Sequence, residues 1–158
     1  IGEIAEKRKN GNYTVLNSAN FKLKGFTEEE VGIGLKRPST LLMVNKDSIE
    51  NFFESNNKVD NITSMVISRD TTSNTYSFGN MALTIDYYID QLSKDGKTIQ
   101  PSDVLKFYLI PVEYKSSTNS SGVTETWVYN TMRPTGAIFR TDEKNMKMSL
   151  IQSKYSSQ

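Results

Sequence analysis

The sequence predicts a mainly β protein: an antiparallel β-sandwich, jelly-roll-like, with two short inserted helices. Three observations lead to this fold. Strand-like segments recur along the 158-residue chain and are separated by short polar turns. Several of these segments alternate apolar and polar residues, which is the period of a strand with one buried face. Only two segments place apolar residues at helical spacing. Residues 1–158 are expected to form a single β-sandwich domain.

The first half of the chain is expected to hold four strands, over residues 19–24, 40–44, 62–69 and 74–78. In the first of them, Ala19, Phe21 and Leu23 alternate with polar residues. The second is a short continuous apolar run after Pro38, which indicates a strand that is buried on both faces.

The first helix is expected just after residue 47. Asp47 is a candidate N-cap, and Glu50 three residues later completes a capping-box-like pair. Ile49, Phe52 and Phe53 then fall on one helical face, so we expect the two phenylalanines to anchor this helix on the sheet, with at least Phe52 buried.

The second helix is expected to begin after Asn80, a candidate cap, and to run to about Lys94. Gly96 then supplies a left-handed stop. The apolar residues of this segment recur at spacings of three and four, so they form a stripe along one face. The stripe consists of Ala82, Ile85, Ile89 and Leu92.

The second half of the chain is expected to contain two hairpins. The longest strand covers residues 104–115, and Pro111 within it indicates a sheet edge or a bulge. Residues 123–129 follow the Ser-rich loop 116–122 and pair with that strand. The second hairpin joins residues 137–140 to residues 145–155 around the polar turn 141–144.

The composition excludes several classes of function. The chain has 19 basic and 18 acidic residues, and its net charge of +1 argues against the broad basic surface of a nucleic-acid binder. It has no cysteine and no histidine, which excludes thiol catalysis, disulfides, zinc fingers and imidazole-based triads. We therefore expect no metal, no cofactor and no nucleic-acid partner. No run of 18 apolar residues occurs, so no membrane-spanning helix is expected.

Carboxylates leave the alternative of a glycoside hydrolase open, because such enzymes work with an acid and a base from two carboxyl groups. The candidates are Glu28-Glu29-Glu30, Asp86 with Asp90, Asp142-Glu143, Glu113 and Glu125. We interpret the three consecutive glutamates as a solvated turn and the pair Asp86 and Asp90 as the polar face of the second helix. No catalytic residue is predicted.

Aromatic residues favour a binding site instead. Trp127, Tyr129, Tyr108 and Tyr114 lie on two strands that are expected to be adjacent, where exposed rings would form a platform on which sugar rings stack. The alternative interpretation is that these residues are cross-strand pairs that stabilise the sheet.

Several segments also occur together in an order that is typical of one family. They are residues 37–47 followed by Phe52-Phe53, residues 60–64, residues 74–80, residues 109–112 and residues 153–155. Asn17-Ser18-Ala19 before the first strand fits as well. Over residues 15 to 155, the sequence resembles the C-terminal part of the Bacteroidota domain-of-unknown-function lipoprotein family 4270.

The resemblance implies a location more than an activity. Members of the family look like secreted lipoproteins that a lipidated cysteine near the N-terminus holds in the outer membrane. This chain begins at Ile1 and lacks such a cysteine, so the anchor is expected upstream of Ile1, in a longer secreted precursor of which the domain is a fragment. The family has no established catalytic residues to carry over.

The leading interpretation is a non-enzymatic extracytoplasmic binding or assembly module of an envelope lipoprotein, at the outer membrane or cell surface. Its partner is expected to be an envelope protein, as in a subunit of an outer-membrane complex, or a glycan. The alternatives are a carbohydrate-binding module, a carboxylate-dependent glycoside hydrolase, and a structural subunit such as a phage tail or fimbrial protein.

The resemblance further implies O-glycosylation at Asp followed by Ser or Thr and then a small or aliphatic residue. Two triplets match, Asp47-Ser48-Ile49 and Asp70-Thr71-Thr72. Because an attached glycan must stay in solvent, Thr71 in a polar turn is favoured over Ser48 in a first helical turn. The alternative is that both are ordinary cap and turn residues.

Overall fold

A computed structural model describes residues 2, 4–5, 13–32, 34–55, 57–94, 98–100 and 102–155 of the chain. Its strands are β1 (Tyr13–Lys24), β2 (Thr40–Asn45), β3 (Ser64–Asp70), β4 (Thr75–Phe78), β5 (Phe107–Thr118), β6 (Thr124–Asn130) and β7 (Met146–Tyr155). The helices that follow β1, β2 and β4 are α1 (Glu28–Val31), α2 (Ile49–Glu54) and α3 (Ala82–Lys94). A short 3₁₀ turn, Lys46–Ser48, leads into α2.

The described strands are antiparallel and belong to one sheet, in the order β6-β5-β2-β3-β4-β1-β7. The mainly β, antiparallel class that the sequence predicts is thereby confirmed. A sandwich is expected to have two sheets, whereas backbone hydrogen bonds join the described strands into a single one.

The described residues group into two compact units. Unit 1 takes its residues from Ile1–Phe21, Phe78–Leu105 and Met148–Gln158, and unit 2 from Lys22–Ser77 and Lys106–Lys147. The single domain expected from the sequence stays a prediction.

The core of unit 2 forms around β2. Every residue of β2 is buried, as its apolar run predicts, because β2 is flanked by β3 on one side and β5 on the other. Leu42, for example, lies opposite Val66 of β3 and Ile110 of β5. The buried core cluster of this unit consists of Leu42, Val44, Phe52, Val59, Val112 and Val128.

Pro111 does not lie in an edge strand, which corrects one of the two alternatives expected from the sequence, a sheet edge or a bulge. β5 pairs with β2 from Phe107 to Pro111 and with β6 from Val112 onward. Pro111 is therefore the last residue of one pairing and precedes the first residue of the next. A proline lacks the backbone N–H that a ladder requires, and the point at which a strand changes partner is where that loss is least disruptive.

The hairpin of β5 and β6 is longer than its polar sequence indicates. Residues 116–118, expected to lie in a loop, continue β5, whereas residues 104–106 precede the strand. Two hydroxyl pairs bridge the strands at 2.8 Å, one between Ser116 and Thr126 and one between Thr118 and Thr124. Such cross-strand hydrogen bonds give Ser and Thr a place in a strand.

Residues 137–140 and 145–155 do not form the predicted second hairpin. Phe139 makes an isolated bridge with Gly25, and the Arg140 N–H donates to the carbonyl of Lys24 at 2.9 Å. Strand β7 instead neighbours β1 in the sheet. The alternation of a sequence indicates an extended segment but does not identify the strand that pairs with it.

The start of α2 also differs from the prediction. Asp47 lies within the 3₁₀ turn, and the residue that caps this turn is Asn45, whose Oδ1 accepts from the Asp47 N–H at 2.8 Å. Phe52 is buried as expected, and Phe53 is half-buried with its ring edge-on to Phe52 at 5.2 Å.

The three consecutive glutamates form α1, a single helical turn, rather than an irregular turn. Thr27 and Glu30 make a capping box, and Gly32 ends the turn in the left-handed conformation with φ of 59°. The side chains are exposed as expected, but Glu28 and Glu30 pair with Arg37 and Arg140.

In unit 1, the second predicted helix is confirmed as α3. The Asn80 Oδ1 accepts from the Ala82 N–H and from the Ala19 N–H, both at 3.0 Å, so the predicted cap also holds β1. Ala82, Ile85 and Ile89 of the predicted stripe are buried. Gly96 lies outside the described residues. No helix in the described part of the chain is long and apolar enough to cross a membrane.

Candidate functional site

A cleft of about 240 Å³ opens in unit 2 where three segments meet. One segment precedes β2, one is the middle of β5, and one follows β6. The Gly136 N–H donates to the carbonyl of Lys36 at 3.1 Å and holds the first segment beside the third. The cleft is lined by Lys36, Arg37, Pro38, Ser39, Pro111, Val112, Glu113, Thr131, Arg133, Pro134 and Thr135.

Three of the four charged side chains of the cleft form no ion pair in the described part of the chain. Lys36, Arg133 and Glu113 are exposed, and none of them forms an ion pair with another residue in the described ranges. Arg37 differs, since its side chain is only 6% exposed, its Nε donates to the Phe26 carbonyl at 2.9 Å, and its Nη2 lies 3.7 Å from a carboxylate oxygen of Glu28. Arg37 is therefore engaged in holding α1.

Two of the predicted aromatic residues continue the surface of the cleft. Tyr129 lies opposite Glu113, and Trp127 lies opposite Lys115, in the register of β5 with β6. Residues directly opposite each other share a face of the sheet, as do residues two apart on one strand. Trp127 and Tyr129, which we call the aromatic row, therefore lie on the same face as Glu113 in the cleft wall. Tyr129 is 52% exposed and Trp127 is half-buried.

Tyr108 and Tyr114 lie on the opposite face. Tyr114 is opposite Val128 and Tyr108 is opposite Val44, and both valines belong to the core cluster. Both tyrosines are nevertheless substantially exposed, Tyr114 by 47%. The pleat thus divides the four expected platform residues into two pairs, and the aromatic row is the pair that shares a face with Glu113.

The outer edge of β6 beside the aromatic row is occupied by residues 57–59. The Val59 N–H donates to the Thr126 carbonyl at 2.8 Å, and the Val128 N–H donates to the Asn57 carbonyl at 3.0 Å. Lys58 lies opposite Trp127 on this side and pairs with Glu125. This part of the strand edge therefore has no free backbone groups for a further strand.

The carboxylates considered from the sequence lie on several elements of the described chain. Glu113 is the single carboxylate among the described residues that line the cleft. The Thr27 backbone N–H, at 2.7 Å, and the Arg140 guanidinium lower the pKa of Glu30. Asp86 and Asp90 lie on α3, where Asp86 is half-buried and Asp90 exposed. In the part of the chain that the structure describes, no three acidic residues cluster in a way that could hold a metal ion.

Asp60 and Asp70 shape turns, as their polar surroundings predict. Burial alone would raise the pKa of Asp60, but it is outweighed by hydrogen bonds from the Thr63 hydroxyl at 2.6 Å and from the Ile62 and Ser64 N–H groups, both at 2.9 Å, and the pKa is lowered. N–H groups of Ser73 and Thr72 lower the pKa of Asp70 in the same way.

These shifts predict how stability depends on pH. A carboxyl group whose pKa is lowered on folding contributes stability that is fully present above its unfolded pKa of about 4 and is lost as the pH falls through the folded value. With no histidine in the chain, we expect the free energy of unfolding to be flat from about pH 5.5 to 7.5 and to fall only in acid. Urea unfolding at a series of pH values, from acid up to about pH 7.5, measures this free energy.

The control for this expectation is Asp60→Asn, which removes one shifted carboxyl and should make the decrease in acid shallower. A steep change between about pH 5.5 and 7.5 would contradict the expectation, because it requires a carboxyl group with a strongly raised pKa. It would also favour the hydrolase alternative.

The two candidate glycosylation sites differ in exposure. Thr71 is exposed in the turn between β3 and β4, where Asp70 accepts from the Thr72 N–H at 2.8 Å. Ser48 is half-buried at the end of the 3₁₀ turn. Thr71 thus has the solvent access that a glycan needs, and its modification stays a prediction.

Sequence reasoning did not single out Lys36, Arg133 or Lys115. The position of Lys115 could have been predicted, because the register of a hairpin places a residue of β5 opposite Trp127. No local pattern predicts that Lys36 and Arg133 line the same cleft, since they are far apart in the chain.

No family model, no curated protein and no solved structure matches the chain. Its function is therefore inferred from the geometry of the cleft and the aromatic row.

Proposed function

We propose that the protein is a non-enzymatic binding module of an extracytoplasmic envelope protein, and that its ligand occupies the cleft and the aromatic row. The observation that carries this proposal is the continuity of the two features: Glu113 lines the cleft and lies opposite Tyr129. The envelope location rests on the resemblance of residues 15 to 155 to the lipoprotein family.

A glycan suits this surface better than the other ligands considered. Binding sites combine apolar contact area with a few polar groups that fix the orientation of the ligand. Here the rings of Trp127 and Tyr129 supply the apolar area, and the residues that line the cleft include Ser39, Thr131 and Thr135, whose side chains carry hydroxyls. Exposed aromatic faces are surfaces on which the C–H groups of sugar rings pack.

The hydrolase alternative has less support. Retaining and inverting glycosidases both need two carboxyl groups across the scissile bond, one of them with a raised pKa. The cleft contributes Glu113 alone, and the carboxyl pKa shifts resolved in the described ranges are downward.

A second candidate function, assembly with an envelope protein, is favoured by one observation in unit 1. Strand β7 ends the order of the sheet, and Met148, Leu150 and Ile151 on it are exposed. An apolar strand at a sheet edge can accept a further strand from a partner. This is the form that a subunit of an outer-membrane complex would take.

Tyr129→Ala and Tyr114→Ala form a matched pair that tests the proposed binding face. Both residues are tyrosines of similar exposure on one hairpin, and they lie on opposite faces. On a glycan array we expect Tyr129→Ala and Trp127→Ala to weaken binding roughly tenfold or more, as for central aromatic contacts of an interface. Tyr114→Ala should retain wild-type binding.

Equal losses in Tyr129→Ala and Tyr114→Ala would contradict the proposed face. A different outcome would favour assembly through β7 instead of glycan binding. In that case the array shows no binding, and envelope pull-downs yield a reproducible membrane-protein partner. Leu150→Lys loses this partner, whereas Tyr129→Ala keeps it.

A further inference from the structure

We infer that the ligand of the cleft and the aromatic row is an acidic polysaccharide, whose carboxylate or sulfate groups contact Lys36, Arg133 and Lys115. The inference rests on the proposed function and names the class of its ligand. It follows from the charges that this face leaves unpaired, from the position of those charges beside the aromatic rings, and from the closed strand edge next to them.

The face carries an excess of positive charge. Lys36, Lys115 and Arg133 are exposed and have no ion-pair partner in the described part of the chain, and the unpaired carboxylate among them is Glu113. The other nearby cations are compensated, because Lys58 pairs with Glu125 and Arg37 lies beside Glu28. Among its groups without an ion pair in the described ranges, this face thus has three cations and one carboxylate, a balance that favours an anionic ligand.

One cation lies beside Trp127, and two line the cleft whose wall includes the residue opposite Tyr129. Lys115 lies opposite Trp127, and Glu113 lies opposite Tyr129 and lines the cleft that Lys36 and Arg133 also line. Successive residues on one face of a strand are about 7 Å apart. A linear ligand that contacts Trp127 and Tyr129 therefore passes from Lys115 towards the two cations of the cleft.

The strand edge distinguishes a polysaccharide from an acidic peptide. Extended peptides commonly bind a sheet by adding a strand, and their backbone hydrogen bonds supply much of the affinity. Beside Trp127 that position is taken, because Val59 donates to Thr126 and Val128 donates to Asn57. A ligand at the aromatic row must therefore bind through ring stacking and charge, which a polysaccharide with acidic groups provides.

The test compares three polysaccharides: polygalacturonate, which carries carboxylates, dextran sulfate, and uncharged dextran. Calorimetry at low and at physiological salt is expected to show binding of one or both acidic polymers, weakened by salt, and much weaker binding of dextran. Lys115→Gln and Arg133→Gln should each weaken acidic binding about three- to tenfold, whereas Glu113→Gln should strengthen it. The two acidic polymers distinguish carboxylate from sulfate recognition.

The control is Lys46→Gln, an exposed cation in the 3₁₀ turn outside this face, which should bind as the wild type does. Equal binding of dextran and the acidic polymers, lost in Trp127→Ala, would overturn the inference and leave the proposed function in place. Tighter binding of polyglutamate than of the acidic polysaccharides would also overturn it. No binding of any polysaccharide would remove the glycan-binding function itself.

Discussion

Replacing Phe52 with Ala is expected to lower the free energy of unfolding by about 3–5 kcal/mol. The Phe52 side chain is 7% exposed and belongs to the core cluster of unit 2 together with Leu42 and Val128. It is the buried residue of α2, whose half-buried Ile49 and Phe53 also pack against the cluster, so its truncation leaves a cavity and removes the most buried part of the packing that holds the helix. A helix of six residues has little stability of its own.

Urea unfolding measures this loss, and Phe53→Ala is the matched control. Phe53 is the next residue of the same helix but is only half-buried, so its truncation should have a clearly smaller effect. If Phe52→Ala melts within a degree or two of the wild-type protein, α2 does not stabilise the core in the way that its burial indicates.

Tyr76→Ala is expected to be similarly destabilising, by about 3–5 kcal/mol. The side chain is 0% exposed, its ring lies edge-on to Phe139 at 5.6 Å, and its hydroxyl donates to the Pro38 carbonyl at 2.6 Å. Burial raises the pKa of this hydroxyl, although the nearby Arg69 and Arg37 guanidinium groups partly oppose the shift. The hydroxyl therefore remains a donor throughout the neutral range.

Tyr76→Phe separates the hydroxyl from the ring. This change keeps the packing against Phe139 but leaves the Pro38 carbonyl without its donor, so we expect a loss of about 1–3 kcal/mol. Tyr114→Ala, which truncates an exposed tyrosine, should change stability far less. An unchanged stability of Tyr76→Phe in thermal and urea unfolding would show that the hydrogen bond contributes nothing.

The elements that the sequence predicts well are those whose signal is local. The apolar run 40–44 and the Asn80 cap with its apolar stripe are each contained in a few residues, and the structure confirms them. The start of α2 fails as a prediction because Asn45 and Asp47 are both good caps and only the backbone decides between them.

The features that the sequence does not predict depend on pairing over long distances. Residues 137–140 bridge to β1 rather than to their neighbours, and Pro111 is tolerated because β5 changes partner there. The cleft arises in the same way, since Lys36 and Arg133 line it together only when the strands are in register. Trp127 and Tyr129 share a face because they are two positions apart on one strand, which is a local feature of the sequence.

The two partners of β5 have consequences for the order of folding. Its pairing with β6 closes a short loop, which takes about 1–10 μs, whereas Leu41 and Pro111 of the β2 pairing are about 70 residues apart in the chain. The entropy of closing that long loop makes the second pairing slower. Until it forms, one edge of the apolar strand β2 is open to strands of other chains. We therefore expect the yield of refolded protein to fall as protein concentration rises, because a second molecule then competes with β5 for the central strand.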